Sequence, residues 1–195
     1  GLLEGKGIQQ GYVPLNKFGY PIGKSGVTIG TGVDLGQLDR PGLINLFYHL
    51  EQYPFTLIHK LVPYLGLKGE VAVKYLRANP LTLTPEEVEA LDGAMVAREV
   101  TALGKHWKRS TLADFTELPP QAQTVLFSLA WNFGSNLPKA IPATWSAFVD
   151  SFNTGDWQIA VDALKEFKSK NPELAKRRAK EAEYLSKLTV VNNIL

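Results

Sequence analysis

The residue pattern changes character at Asp34, and that change limits what the chain can fold into. Upstream, the sequence is dense in glycine, with Glu4 as its only acid. Gly19-Tyr20-Pro21-Ile22 and Gly23-Lys24-Ser25-Gly26 are turn-rich, and Val27-Thr28-Ile29 is β-prone. This stretch predicts a small β-hairpin or sheet. Downstream, apolar residues recur at helical spacing almost to the end. The fold class expected is α+β, mainly α: a small N-terminal β lobe packed on a larger helical lobe, within one domain.

The helical part can be divided by its start and stop signals. Pro41 sits where a first helical turn tolerates it, ahead of Leu43, Ile44, Leu46, Phe47 and Leu50. Phe55, Ile58, Leu61 and Val62 form a second stripe, and Val71, Val73, Tyr75 and Leu76 a third, less regular one. Thr84-Pro85-Glu86-Glu87 combines a Thr cap, a first-turn Pro and acids at the positive end of the helix dipole. The helix it opens is expected to run past Met95 towards Trp107. Pro119-Pro120 opens another that closes near Gly134, and further helices fit residues 143–153, 156–168 and 172–186.

Composition narrows the function classes. A formal net charge of +2 lacks the basic footprint of a nucleic-acid binder. The absence of cysteine removes disulfides and thiolate metal sites. No apolar run has the length of a membrane span, and no signal-peptide pattern is visible. His49, His59 and His106 lack metal-ligand spacing, so no metal or other cofactor is expected. The start at Gly1, so close to Glu4, reads as a domain cut from a longer protein or as a processed form.

The candidate chemistry lies in Thr28-Ile29-Gly30-Thr31-Gly32-Val33-Asp34. In a strand, Val27, Ile29, Thr31 and Val33 share one face, while Thr28, Gly30, Gly32 and Asp34 share the other. The second face pairs two polar groups with glycines that leave room beside the backbone. A straight strand would hold Thr28 and Asp34 about 20 Å apart, too far to share a water. If both serve one site, the chain must bend at Gly30 or Gly32. Glycosidases place two groups, usually carboxylates, on either side of the scissile bond. Glu4, before Gly5 at the expected end of a helix, and Asp34 are candidates, with no acid between them and Asp39 next in line. On spacing alone, a solvated Glu and an Asp capping the next helix are the plainer reading.

These residues resemble a known family. Glu4-Gly5, followed by Gly26-Val27-Thr28-Ile29-Gly30-Thr31-Gly32, is similar to the active-site hairpin of phage-type lysozymes. Leu126-Phe127-Ser128-Leu129-Ala130-Trp131-Asn132-Phe133-Gly134 resembles their long core helix. Thr144-Trp145-Ser146, Gly155-Asp156-Trp157 and Leu174-Ala175-Lys176-Arg177-Arg178-Ala179-Lys180-Glu181 resemble later segments. The likeness covers roughly residues 1–36 and 120–186, and residues 45–110 carry none. Ordinary phage lysozymes place their second carboxylate between the Glu and the Thr. Here it follows Thr28 by six positions, as in the pesticin branch of bacteriocins.

The resemblance implies a muramidase that cuts the β-1,4 bond between N-acetylmuramic acid and N-acetylglucosamine, with inversion. It makes Glu4 the general acid and gives Thr28 and Asp34 the water. It also implies an antibacterial toxin, effector or endolysin module that acts on peptidoglycan in the periplasm or cell wall of a target cell, with an immunity protein as partner. A non-catalytic peptidoglycan-binding module is the alternative. Substrate contacts are expected at Asn132, Tyr20 and Gly30. Trp131, Trp145 and Trp157 read as core residues ahead of sugar platforms. The basic residues between 165 and 180 fit a solvated surface, an attraction to anionic cell wall, or a buried ion pair of Arg177 or Arg178 joining the lobes.

Overall fold

The computed structural model describes residues 8–48, 54–168 and 172–191. Glu4 and His49 therefore lie outside the described residues. Those described fall into two compact units, one reaching to Arg98 and one starting at Glu99.

In the first unit, β1 (Ile8–Tyr12) pairs antiparallel with β2 (Thr28–Gly30), and β2 with β3 (Val33–Asp34). The far edge of β1 is covered by residues 81–83: Gly11 N–H donates to the Leu81 carbonyl at 2.9 Å and Leu83 N–H to that of Gln9 at 2.8 Å. Val27, Ile29, Val33 and Leu35 are buried, and so are Thr28 and Gly30, so β2 is covered on both faces. A 3-10 turn (Leu35–Gln37) leads to α1 (Arg40–Leu46), whose N-cap Asp39 accepts from Gly42 N–H at 2.7 Å. α2 (Phe55–Leu61) and α3 (Gly69–Ala78) follow. On α3 the buried residue is Ala72, and Val71 stands out in solvent, so the irregular apolar stripe is only partly a core face.

α4 (Pro85–Thr111) starts where its signals lie. Glu87 N–H donates to the Thr84 hydroxyl at 3.2 Å, and Thr84 N–H to the Glu87 carboxylate at 2.9 Å. This reciprocal pair satisfies two of the N–H groups that a helix start leaves open. Lys60 of α2 binds the same carboxylate at 2.7 Å. Burial pushes the Glu87 carboxyl up, but the Lys60 ammonium and the Thr84 N–H outweigh it and hold the group below its ordinary value.

The second unit is helical among the described residues: the later part of α4, then α5 (Pro120–Phe133), α6 (Leu137–Ala140), α7 (Pro142–Thr154), α8 (Gln158–Lys165) and α9 (Pro172–Val191). Ala122 and every residue from Val125 to Ala130 are buried, which makes α5 a central helix with apolar contacts on most sides. Trp107 of α4 and Trp145 of α7 meet edge to face at 5.5 Å, and the Trp145 indole N–H reaches Ser110 Oγ at 3.1 Å. Trp145 and Trp157 are core residues. Among the described residues, no helix is long and apolar enough to cross a membrane.

One charged cluster lies inside this unit. Arg178 and Glu181 of α9 are both buried and paired with each other. The Ser128 hydroxyl of α5 donates to Glu181, and Arg177 Nε donates to Ser128 Oγ at 3.0 Å. Burial pushes the Glu181 carboxyl up, against the Ser128 hydroxyl and the two guanidiniums. The arginines therefore tie α9 to α5 within one unit. Lys176, by contrast, makes an exposed pair with Glu173 at 3.1 Å.

Replacing Glu181 by Gln leaves Arg178 buried without a counter-charge, so urea unfolding should show a loss of about 3–5 kcal/mol. Lys176→Ala should change stability by less than about 1 kcal/mol. The Glu87 carboxyl, held below its unfolded value of about 4.3, contributes stability above that value and loses it as pH falls through the folded one. Glu87→Gln should therefore cost up to about 1 kcal/mol at neutral pH. Its unfolding curve should approach that of wild type as pH falls from about 4.3 through the lower folded value.

Candidate functional site

The hairpin of β2 and β3 sets Thr28 opposite Asp34 and Ile29 opposite Val33, leaving Gly30, Thr31 and Gly32 as its loop. The chain bends at both glycines, with φ of 63° at Gly30 and 115° at Gly32. Residues with side chains are strained there, and glycine is not. Directly opposed residues of an antiparallel pair have Cα atoms about 4.5–5.5 Å apart and side chains on one face. Thr28 and Asp34 therefore stand side by side with their side chains on one face, and the roughly 20 Å of a straight strand does not arise.

Each of the two has local work as well. Asp34 Oδ1 accepts from Gly26 N–H at 3.1 Å and from Gly36 N–H at 2.9 Å, and Oδ2 accepts from Gln37 Nε2 at 3.3 Å. Asp34 is thus the N-cap of the 3-10 turn. Oδ1 is committed to the backbone, whereas Oδ2 keeps an acceptor position for water or substrate. The Thr28 hydroxyl is buried and donates to the Gly26 carbonyl at 3.4 Å, a long bond that holds it loosely.

Two glycines make this mouth possible. A Cβ on Gly26 would run into the Leu67 carbonyl and Gly36, and one on Gly36 would run into the same carbonyl and Gly26. With no side chains, the two backbones approach closely enough for one carboxylate oxygen to take both N–H groups. Leu35 N–H, donating to the Val27 carbonyl at 2.8 Å, closes the same junction.

At the other end, the space beside Gly30 is filled by the protein itself. The Asp92 carboxylate of α4 lies where a Gly30 side chain would project. It receives the Thr31 N–H on both oxygens, at 3.1 and 3.2 Å. Asp92 was not among the residues singled out from the sequence. Its trace there is Asp92-Gly93, two poor helix formers in the middle of a strong helical run.

Tyr20 is 64% exposed and lies in an ordered turn. Its backbone N–H and that of Phe18 donate to Asn16 Oδ1 at 3.1 and 2.9 Å. Asn132 belongs to the other unit, where its amide donates to the Ser128 carbonyl of its own helix at 2.6 Å. It lines a cleft of about 910 Å³ with Thr124, Arg177, Lys180, Tyr184 and Lys187. Among the described residues, no group of three or more His, Asp and Glu is placed to hold a metal.

Gly26→Ala or Gly36→Ala should destabilise by about 1–3 kcal/mol, because backbone must move to admit the methyl group. Gly93→Ala, whose Cβ would meet nothing within 4 Å, should instead stabilise by about 0.5–1 kcal/mol. Thermal unfolding of the three variants separates the close approach from a general effect of adding a methyl.

Comparison with known proteins adds one match. A family model described as "Pesticin: Bacterial toxin homologue of phage lysozyme, C-term" matches residues 2–158. No curated protein matches the chain. The match spans residues 45–110, so α2, α3 and α4 fall within its bounds, while α9 with Arg177 and Arg178 lies beyond them.

Proposed function

The chain belongs to the pesticin family of bacterial toxin homologues of phage lysozyme, and on that premise we propose that it is a muramidase. It cleaves the β-1,4 bond between N-acetylmuramic acid and N-acetylglucosamine in peptidoglycan by direct displacement with inversion. The observation that carries this reading is the pairing of Thr28 with Asp34 across the hairpin. A hydroxyl and a carboxylate on one face can hold a single water between them.

In the proposed reaction, Glu4 enters protonated and gives its proton to the leaving glycosidic oxygen as the bond to the anomeric carbon breaks. Water, oriented by the Thr28 hydroxyl, attacks that carbon from the opposite face, and Asp34 Oδ2 takes up its proton. The oxygen bound to Gly26 and Gly36 stays where it is, so the attacking side needs little rearrangement during the reaction. Tyr20, Gly30 and Asn132 are proposed substrate contacts. The two units act as one catalytic domain, delivered to the cell wall or periplasm of a target cell and held in check in the producer by an immunity protein.

The test is release of soluble muropeptides from purified peptidoglycan. Glu4→Gln should lose about 10²–10⁴-fold, the span of general-acid catalysis. Asp34→Asn keeps an oxygen for the Gly26 and Gly36 N–H groups while removing the charge. It should stay folded, with a melting temperature within a few degrees of wild type, and lose activity by about 10²-fold or more. Near-full activity in both variants would defeat the assignment. A wild type that sediments with peptidoglycan yet releases nothing would instead be a binding module.

A further inference from the structure

The hairpin bearing Thr28 and Asp34 has three residues in one strand and two in the other. Two strands of that length would not hold their own shape in water, and β2 draws support from β1 on its other side. The mouth is fastened by Asp34 through Gly26 and Gly36. The tip is exposed at Thr31 and Gly32, and its internal bond, from Gly32 N–H to the Ile29 carbonyl, is long at 3.4 Å. From outside the hairpin, the tip is held by β1, where Ile8 stands opposite Gly30, and by Asp92, which takes a backbone N–H sixty-one residues away in sequence.

Two independent features converge on that carboxylate. Thr31 N–H is shared between both of its oxygens, the geometry of a charged acceptor aimed at a single donor. Gly30 has no side chain at the place the carboxylate occupies, so glycine there serves the approach of Asp92 as well as the positive φ. α4 also gives the clamp a rigid base, since Asp92 lies well inside a helix of 27 residues.

We infer that Asp92 is a positioning residue of the hydrolase: by holding the Thr31 N–H, it fixes the turn at residues 30–32 and so the setting of Thr28 against Asp34. This rests on the reading of the hairpin as catalytic. Asp92 touches no reacting atom. It acts one residue pair away, through Ile29 and Val33, where a small change in the turn becomes a change in the spacing of hydroxyl and carboxylate.

The experiment combines muropeptide-release kinetics with the amide NMR signal of Thr31. Asp92→Ala should lower kcat by about tenfold or more while KM stays within about twofold, as expected of lost alignment. Asp92→Asn, which retains an oxygen acceptor, should recover part of that loss. In both variants the Thr31 amide proton should move upfield as the charged acceptor goes. Should Asp92→Ala not fold, Asp92→Ser takes its place, polar but too short to reach Thr31, with the same expected loss. The inference is overturned if the folded short-side-chain variant keeps kcat within about twofold of wild type. It is overturned equally if Asn is no better than Ala, or if the Thr31 amide does not move. A wild type that releases no muropeptides would overturn the catalytic reading and Asp92's part in it, while the amide shift would still report whether the clamp exists.

Discussion

The Asp34 carboxylate takes the N–H groups of Gly26 and Gly36 on one oxygen, and those two bonds join the start of the hairpin to the turn that follows it. Much of the first unit's geometry follows from this junction. It requires glycine at both donors, because the Leu67 carbonyl and the facing backbone leave no room for Cβ atoms. It keeps β3 in register with β2, and so keeps Asp34 opposite Thr28. It also aims the second carboxylate oxygen by fixing the first. A group that must act on water gains from such restraint, since its orientation is settled before substrate arrives. Capping and the proposed catalytic role are therefore compatible at Asp34, each using a different oxygen.

The second unit meets a different constraint. α5 is so apolar that it must be surrounded, and α7, α8 and α9 supply partners in its core. Within that core, Glu181 and Arg178 exclude water almost completely. A pair of this kind costs desolvation that good geometry only offsets, so its value lies in the penalty for separating the partners. Ser128 and Arg177 extend it into a link between α5 and α9 that an apolar contact would not specify as narrowly.

Much of this was legible in the sequence where local chemistry decides. Thr84 and Glu87 marked the start of α4, Pro120 and Gly134 bracketed α5, and the glycine-rich start marked the sheet. The bend at Gly30 and Gly32 followed from a distance argument: six extended residues could not bring two groups to one water. What stayed hidden depends on residues far apart in the chain. The Thr31 N–H meets Asp92 only once α4 has packed, and the strain-free meeting of Gly26, Gly36 and Leu67 is equally tertiary. Gly30 was read as room for a ligand, yet the carboxylate of Asp92 occupies the side a Cβ would take. Val71 fitted a buried stripe by spacing and is exposed, because the neighbouring Ala72 faces inward instead. Glu4 lies outside the described residues, so its half of the site rests on sequence and family.

The most direct test of the account is the configuration of the new reducing end. Peptidoglycan digested for a few minutes and followed by proton NMR should first show N-acetylmuramic acid as its α anomer, with the β form growing in later by mutarotation. That order is what direct attack by a water held between Thr28 and Asp34 requires, since the bond cut is β. A β anomer appearing first would mean that a covalent intermediate forms and would contradict the mechanism. The absence of any new reducing end would contradict the assignment of the hairpin to hydrolysis at all.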